Sequence, residues 1–354
     1  MFYWFYRHLD INIFQYISIR AGIGFFIAFC LTLFIMPRFI AWARARKANQ
    51  PIYEHAPDSH KSKAGTPTMG GIVFVVTTII ATILTAKLNN PYVVGGLLAI
   101  GLFSLIGIKD DLSKISSNKN DAGLSAKMKL VLQVFASIAV IGVLFYANHT
   151  TELFVPFYKY ALFDMQLYAI VFWILVMTAS TNAVNLTDGL DGLATVPSIM
   201  AFFSLSLIVY ITGHAIISGY LLIPNLQNTG ELAIVGASFI GSLIAFLWYN
   251  SHPAEVFMGD SGSLAIGGFM GYMAIVAKSE VLLILIGFIF VIEAVSVILQ
   301  VGSYKYRNKK RVFLMAPIHH HFEQKGWVEN KIIVRFWIIA FMTNLLALAS
   351  LKIR

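Results

Sequence analysis

The sequence predicts an all-α integral membrane protein of about ten transmembrane helices, with both termini outside. Three observations carry that prediction. Of the 354 residues, 58% are hydrophobic, and mean hydropathy is +0.75. Only 12% are charged, against about 25% in an ordinary soluble domain, too few to cover the surface of a soluble fold of this size. The apolar residues also fall into ten runs, most of them near the ~20 residues of helix that cross a bilayer core of about 30 Å. This composition excludes a disordered chain, a coiled coil and a water-soluble enzyme.

Residues 1–18 are aromatic and polar and read as an interfacial segment, with Tyr3, Trp4 and Tyr6 at headgroup level, rather than a cleaved signal. The first span is 19–37. The second, 69–87, follows a Thr/Gly-rich lead, and the third, 92–108, ends just before Asp110-Asp111. The fourth is 129–147. The fifth and sixth, 166–184 and 193–212, flank Asn185-Leu186-Thr187-Asp188-Gly189-Leu190-Asp191-Gly192. The seventh and eighth, 232–249 and 263–277, flank Met258-Gly259-Asp260-Ser261-Gly262-Ser263. The eighth is short and holds Gly267, Gly268 and Gly271, which predicts close packing or a break. The ninth, 281–301, carries Glu293, and the tenth is 332–351. No repeat or low-complexity tract divides the chain, which reads as one polytopic domain over 1–354.

Lys and Arg orient it. Loops 38–68, 109–129, 185–192, 250–262 and 302–331 hold 18 of the 26 basic residues, whereas the opposite side holds 6. The positive-inside rule places the first set in the cytoplasm. The net charge of +9 suits anionic lipid or an anionic substrate, and no soluble basic domain is present to hold nucleic acid. Cys30 is the one cysteine, which excludes an internal disulfide and any multi-Cys metal site.

Five aspartates, Asp110, Asp111, Asp188, Asp191 and Asp260, lie on three loops of that one face. Clustered carboxylates repel, so a cation should hold them together, and an all-oxygen donor set suits Mg²⁺. For Asp191 and Asp260, which precede apolar helices, N-capping is the ordinary role. Asp110 and Asp111 follow the third helix at its C-terminus, where a carboxylate opposes the helix dipole at a cost of about 0.3–1 kcal/mol. A functional site explains them better. Adjacent helical residues point about 100° apart, so one should face the reacting groups and the other support from behind. Asp188 and Asp191 share a face if helical, but their two glycines favour an irregular loop.

Two further segments join this face. Lys63 to Gly71 offers a Lys, Thr68 and glycines at a helix start, a setting that suits phosphate oxygens. The basic run 305–311 reads as a positive-inside anchor. After it come His319, His320 and His321, which would fan out on a helix and cannot all bind one ion, so they read as donors to phosphate.

Together the stretches GTPTMGG at 65–71, Asp110-Asp111 with Lys114, NAVNLTDGLDG at 182–192, MGDSGS at 258–263 and APIHHHFE at 316–323 resemble the phospho-N-acetylmuramoyl-pentapeptide transferase family, from about residue 20 to the end. The resemblance implies transfer of phospho-MurNAc-pentapeptide from UDP to undecaprenyl phosphate in the bacterial inner membrane, giving lipid I and UMP, with Mg²⁺ and a homodimer. It implies Asp260 as the metal ligand and Asp110 and Asp111 as the catalytic pair, with His319 beside them. Lys63, Thr68, Lys114, Asn182, Asn185, Asp188, Asp191, Asn250 and Phe257 would surround the nucleotide, and His320 and His321 the diphosphate or sugar.

The chemistry is consistent. The acceptor is a phosphate monoester, largely dianionic at neutral pH, with a second pKa of about 6. Such a nucleophile needs charge neutralisation and in-line placement more than a base. Direct attack and a covalent phospho-Asp intermediate both remain open at this level. Two other readings compete: a sister enzyme that moves GlcNAc-1-phosphate to a polyprenyl phosphate, and an ion-coupled transporter built around Glu293.

Overall fold

The computed structural model describes residues 1–46, 65–117, 123–307 and 309–353, and it is helical almost throughout. A short helix, α1 (Phe2–Leu9), leads into α2 (Ile17–Ala45), followed by α3 (Gly71–Thr85), α4 (Pro91–Ser117) and α5 (Ala126–Tyr146). A small antiparallel hairpin pairs Glu152 with Asp164 and Leu153 with Phe163. Then come α6 (Tyr168–Thr187), α7 (Thr195–Thr212), the short α8 (Ala215–Leu221), α9 (Leu232–Asn250) and α10 (Asp260–Val276). The chain ends with α11 (Leu283–Ile286), α12 (Phe288–Tyr306), α13 (Ile318–Gln324) and α14 (Glu329–Ser350).

Helices stand at all ten positions read from the apolar runs. Among the described residues, eight are long and apolar enough to cross a membrane. The two others, α3 and α10, have 15 and 17 residues. A helix rises 1.5 Å per residue, so these two fall short of the bilayer core. α10 lies inside the bundle, with every residue from Ser261 to Val276 buried, whereas α3 keeps an outer face at Val76, Ile80 and Ile83.

The glycines of α10 explain its central place. Gly267 and Gly271 pack on the backbone of α6 at Thr181 and Met177, and Gly268 packs on the ring of Phe103 in α4. Small residues let helix backbones approach where lipid offers no hydrophobic driving force. The eighth segment is therefore unbroken, and the interruption falls in the ninth. There Gly287 separates α11 from α12.

The third helix also differs from its reading. It runs to Ser117, so Asp110 and Asp111 lie about two turns inside α4 rather than beyond its end. Both are buried and bonded to groups on other elements, which removes the dipole conflict assigned to them.

The end of the bundle opposite the five aspartates is pinned by buried ion pairs. Arg20 of α2 forms a two-pronged pair with Glu231 at 2.8 and 2.5 Å and donates to the Thr85 carbonyl at 3.2 Å. Tyr3 of α1 lies against Arg20 and Lys87, 5.1 and 4.3 Å from its ring centre, so the interfacial segment is tied to this clamp. Lys278 pairs with Glu280 at 3.1 Å, and Trp173 Nε1 donates to the same carboxylate at 3.1 Å. A charge buried in this way is tolerated because it is paired and hydrogen-bonded.

Candidate active site

The site forms where α4, α5, α6 and α10 meet. Gly107 of α4 lies on the Asp260 carbonyl, and a Cβ there would collide with it. Gly259 precedes α10 with φ +73°, a left-handed backbone that favours glycine, and a Cβ on it would lie 2.7 Å from Asp111 Oδ2. These two glycines bring the start of α10 against the aspartate pair.

Asp111 then does something the sequence reading did not foresee. Its Oδ1 accepts from the Asp260 N–H at 3.0 Å and its Oδ2 from the Ser261 N–H at 2.9 Å. The N-cap position of α10 is Gly259, which has no side chain to cap with. Asp111 therefore caps α10 from another helix, satisfying donors that every helix start leaves open. The capping role weighed for Asp260 is thus filled by Asp111, and the Asp260 side chain points elsewhere.

Asp260 Oδ2 accepts from Lys129 Nζ at 2.6 Å and Lys114 Nζ at 3.1 Å, and its Oδ1 accepts from Asn185 Nδ2 at 2.8 Å. Asp110 Oδ2 meets the same lysines at 2.6 Å (Lys114) and 3.3 Å (Lys129), and its Oδ1 accepts from the Leu124 N–H at 2.7 Å. Lys114 follows Asp110 by one helical turn. Lys129 was counted in the sequence only as a loop charge. Its place one turn inside α5 next to Asp110 and Asp260 is visible only in the fold.

Asp110, Asp111 and Asp260 each place an oxygen within 4.8 Å of the others. Oxygen-only donors fit Mg²⁺, which binds through one or two carboxylates plus water and substrate phosphate. Asp111 is committed to backbone N–H groups, so Asp110 and Asp260 are the two whose ammonium partners can give way to a metal.

The other proposed residues divide by position. Asn185 also donates to Ser263 Oγ at 3.0 Å. Asn182, one turn earlier on α6, donates to Gln133 Oε1 at 2.8 Å. Asp188 ends α6 in an irregular turn. Burial first, then the charges of Asp260, Asp111 and Asp191, push its carboxyl up to about 8. Thr68 is buried beside Gly259. Lys63 lies outside the described residues. The helix-start glycines do not offer the phosphate cradle read from the sequence. The N–H groups of Gly70 and Gly71 donate to the carbonyls of Phe257 and Met258, both at 2.9 Å. Phe257 is half-buried on this pairing, and its own N–H donates to the Pro67 carbonyl at 2.8 Å.

Asp191 and Asn250 sit further along the same face and tie loops together. Asn250 accepts from the Gly192 N–H at 3.1 Å and Thr195 Oγ1 at 2.8 Å, and donates to the Val256 carbonyl at 3.0 Å. Asp191 Oδ2 lies 3.0 Å from His252 Nδ1 and accepts from the Ala254 N–H at 3.1 Å. Asp191 is not a cap, because α7 begins only at Thr195.

The three histidines fan out over one short helix. His319 is buried against Glu293 of α12, its Nδ1 3.1 Å from Oε1. His320 Nδ1 lies 2.6 Å from Glu323 Oε2. His321 Nδ1 accepts from the Leu314 N–H at 3.1 Å.

Comparison with known proteins adds to this geometry. The family model described as glycosyl transferase family 4 matches residues 93–278, and phospho-N-acetylmuramoyl-pentapeptide-transferase signature 1 matches residues 63–75. The phospho-N-acetylmuramoyl-pentapeptide-transferase of Aliarcobacter butzleri is 71% identical over 354 residues, covering all of both chains. The chain belongs to the phospho-N-acetylmuramoyl-pentapeptide-transferase family. Enzymes of the same name from Nitratiruptor and Wolinella succinogenes are 62% and 60% identical, again over the whole of both chains. As a multi-pass member of a bacterial membrane family, the chain is an enzyme of the transferase class, and the transporter reading built on Glu293 falls.

Proposed function

We propose that the chain transfers phospho-MurNAc-pentapeptide from its UDP carrier to undecaprenyl phosphate, releasing UMP and leaving lipid I in the membrane. The observation that supports this most directly is the meeting of Asp110, Asp111 and Asp260 with Lys114, Lys129 and Asn185 at one end of an intramembrane bundle. The charge split of the loops orients that end toward the cytoplasm. A soluble nucleotide and a lipid that cannot leave the bilayer can meet only at such a rim.

An apolar cleft of about 380 Å³ supports the lipid half of the reading. It lies between α6 and α12, lined by Phe172, Leu175, Ala183, Phe290, Val291 and Val295 among others, and it reaches toward the end of α6 that carries Asn182 and Asn185. Its apolar lining suits part of a polyprenyl chain.

In the reaction, a lipid phosphate oxygen attacks the phosphorus that bears the sugar, and the bridging P–O bond to UMP breaks. Both reactants are anionic, so charge neutralisation dominates. Lys114 and Lys129 contribute two ammonium groups at the point of attack. Asp110 and Asp260 would hold Mg²⁺, which when bound neutralises diphosphate charge and polarises the phosphoryl oxygens. Asp110 can also accept a residual proton from the acceptor phosphate once its lysine partners turn to the diphosphate. All six oxygens of the three aspartates are engaged by N–H or ammonium groups. The acceptor is already largely dianionic, so it needs no covalent carboxylate intermediate, which favours direct attack over a phospho-Asp intermediate. Phe257, Asn182, Asp188 and Asp191 surround the nucleotide side. The homodimer implied by the family resemblance belongs to the same proposal, and sedimentation in detergent tests it.

Purified protein with undecaprenyl phosphate should release UMP from UDP-MurNAc-pentapeptide in a Mg²⁺-dependent manner, and not from UDP-GlcNAc. Release from UDP-GlcNAc alone would move the chain to the sister reaction.

A further inference from the structure

Glu329 is the first residue of α14. An acidic residue at that position favours the helix dipole, and it can do so from solvent. Here the side chain is only 10% exposed, because it is turned onto the loop between α6 and α7. Its Oε1 accepts from the Asp191 N–H at 3.2 Å and lies 3.7 Å from His252 Nδ1. About two turns further along α14, Trp337 Nε1 donates to the Gly192 carbonyl at 3.2 Å. One helix thus holds an N–H and a C=O of adjacent residues in the loop.

Apolar packing joins the same two parts. Leu190 and Leu193 are buried in one cluster with Ile332, Ile333, Phe336 and Ala340 of α14, separate from the main core of the bundle. On its other side the loop is tied to the segment that leads to α10. Asp191 Oδ2 accepts from the Ala254 N–H at 3.1 Å and lies 3.0 Å from His252 Nδ1, and the Gly192 N–H donates to Asn250 Oδ1 at 3.1 Å. The loop therefore lies between two supports. It needs them, because Gly189 and Gly192 give it little stiffness of its own, and Gly192 stands in the left-handed region at φ +73°. A loop ordered only when its ligand arrives weakens binding by the cost of ordering it, and a loop docked beforehand does not.

We infer that Glu329 is a positioning residue for the UDP-sugar: together with Trp337 it docks the Asp188–Gly192 loop on α14 in the conformation that receives the nucleotide. The inference rests on the reading of that loop as the nucleotide side of the site. It assigns the C-terminal helix a part in substrate affinity, exerted through the loop.

The test uses the full chain in lipid nanodiscs and reads three quantities: the separate KM and kcat values of UMP release, the Kd of UMP by calorimetry, and amide hydrogen exchange over residues 186–193 without ligand. Glu329→Leu removes the acceptor of the Asp191 N–H. Exchange over the loop should quicken. KM for UDP-MurNAc-pentapeptide and Kd for UMP should rise about 10-fold, on the scale of one hydrogen bond to a charged group. The kcat value and KM for undecaprenyl phosphate should stay near wild type. Glu329→Gln keeps an acceptor oxygen and should restore most of the UMP affinity. Trp337→Phe keeps the ring, removes the donor to Gly192, and should act in the same direction as Glu329→Leu by a smaller factor. A Leu variant with lower kcat and unchanged KM would make Glu329 merely structural and overturn the inference. So would weaker UMP binding with the loop exchanging as in wild type, since Glu329 would then act on the nucleotide without the loop. Wild-type protein that binds no UMP would instead remove the nucleotide reading of the site, and the inference with it. Should the Leu variant not fold, Trp337→Phe decides by the same three readouts.

Discussion

The division of labour within the aspartate pair can be tested by Asp111→Asn. The native carboxylate receives two backbone N–H groups at the start of α10, at 3.0 and 2.9 Å. An Asn side chain of the same shape keeps one acceptor and turns an NH₂ group toward the other N–H. One charge-assisted hydrogen bond is lost, a change of about 1.5–3 kcal/mol, and one donor is left buried, at about 1–3 kcal/mol. The two are not additive. Loss of a negative charge at a helix N-terminus acts in the same direction, by about 0.3–1 kcal/mol. Relief of repulsion with Asp260 acts the other way, but two ammonium groups already screen that carboxylate. The balance is a loss of about 3 kcal/mol. In detergent, where unfolding is irreversible and only scan-matched comparisons count, this corresponds to a fall of roughly 3–5 °C in apparent melting temperature for a chain of this length. Asp110→Asn keeps its bond to the Leu124 N–H and loses its two lysine pairs, but both lysines keep Asp260 as partner, so it should lower melting by less. UMP release should fall in both, because in one α10 and its Asp260 are misplaced and in the other the lysine partner and proton acceptor are lost. Equal melting of the two variants, or an Asp111→Asn protein as stable as wild type, would refute the capping argument.

Other outcomes follow from the same geometry. Asp260→Asn, which leaves the cap intact, should lose several orders of magnitude in UMP release, with partial recovery at high Mg²⁺; near-normal turnover would remove Asp260 from the metal site. Lys129→Met should lower release about 30- to 1000-fold, as loss of a charged group facing transition-state oxygens does, with no rescue by excess Mg²⁺; full activity would make Lys129 a structural counter-ion only. Burial first, then the charge of Lys278, holds the His149 imidazole down to about 4. The unfolded chain therefore takes up that proton first, and stability conferred by neutral His149 is complete above about pH 6.5 and lost as pH falls toward 4; in His149→Gln the melting temperature should vary less over that window. For orientation, a cysteine at position 310 in a Cys30→Ala background should resist an impermeant reagent added from outside, and labelling there would invert the topology.

How far the sequence reaches depends on whether a property is local. Spanning helices are local, because hydrophobic length alone specifies them, and a helix stands at each of the ten runs. Their ends are less so. The third was stopped before Asp110 because charges usually end an apolar run, yet α4 continues to Ser117 since Asp110 and Asp111 are neutralised by partners on α5 and α10. The break in the ninth segment and the continuity of the eighth were also hidden, because glycines in sequence do not say whether they bend a helix or receive a neighbour. The aspartates of the site announced themselves by clustering on one face. Lys129, Gln133 and His252 did not, for a lysine near a cytoplasmic loop is the commonest thing in such a protein. Asn250 and Asp191 were legible as polar groups of this face, but their ties to Thr195, Val256 and Ala254 needed the fold.

The lysines also answer the question of how three carboxylates coexist at the edge of a membrane. Here Asp110 and Asp260 share two ammonium groups, and Asp111 is held by the start of α10. The carboxylates are thereby kept in place before any substrate arrives, at the cost of engaging the same oxygens that a metal would use. Arrival of a diphosphate changes that balance, because its oxygens compete for Lys114 and Lys129 and leave Asp110 and Asp260 free to hold a cation. Metal and nucleotide should therefore bind cooperatively, each lowering the cost of the other. That coupling also gives the reaction an order, since the attacking lipid phosphate meets a fully neutralised diphosphate only once both are present.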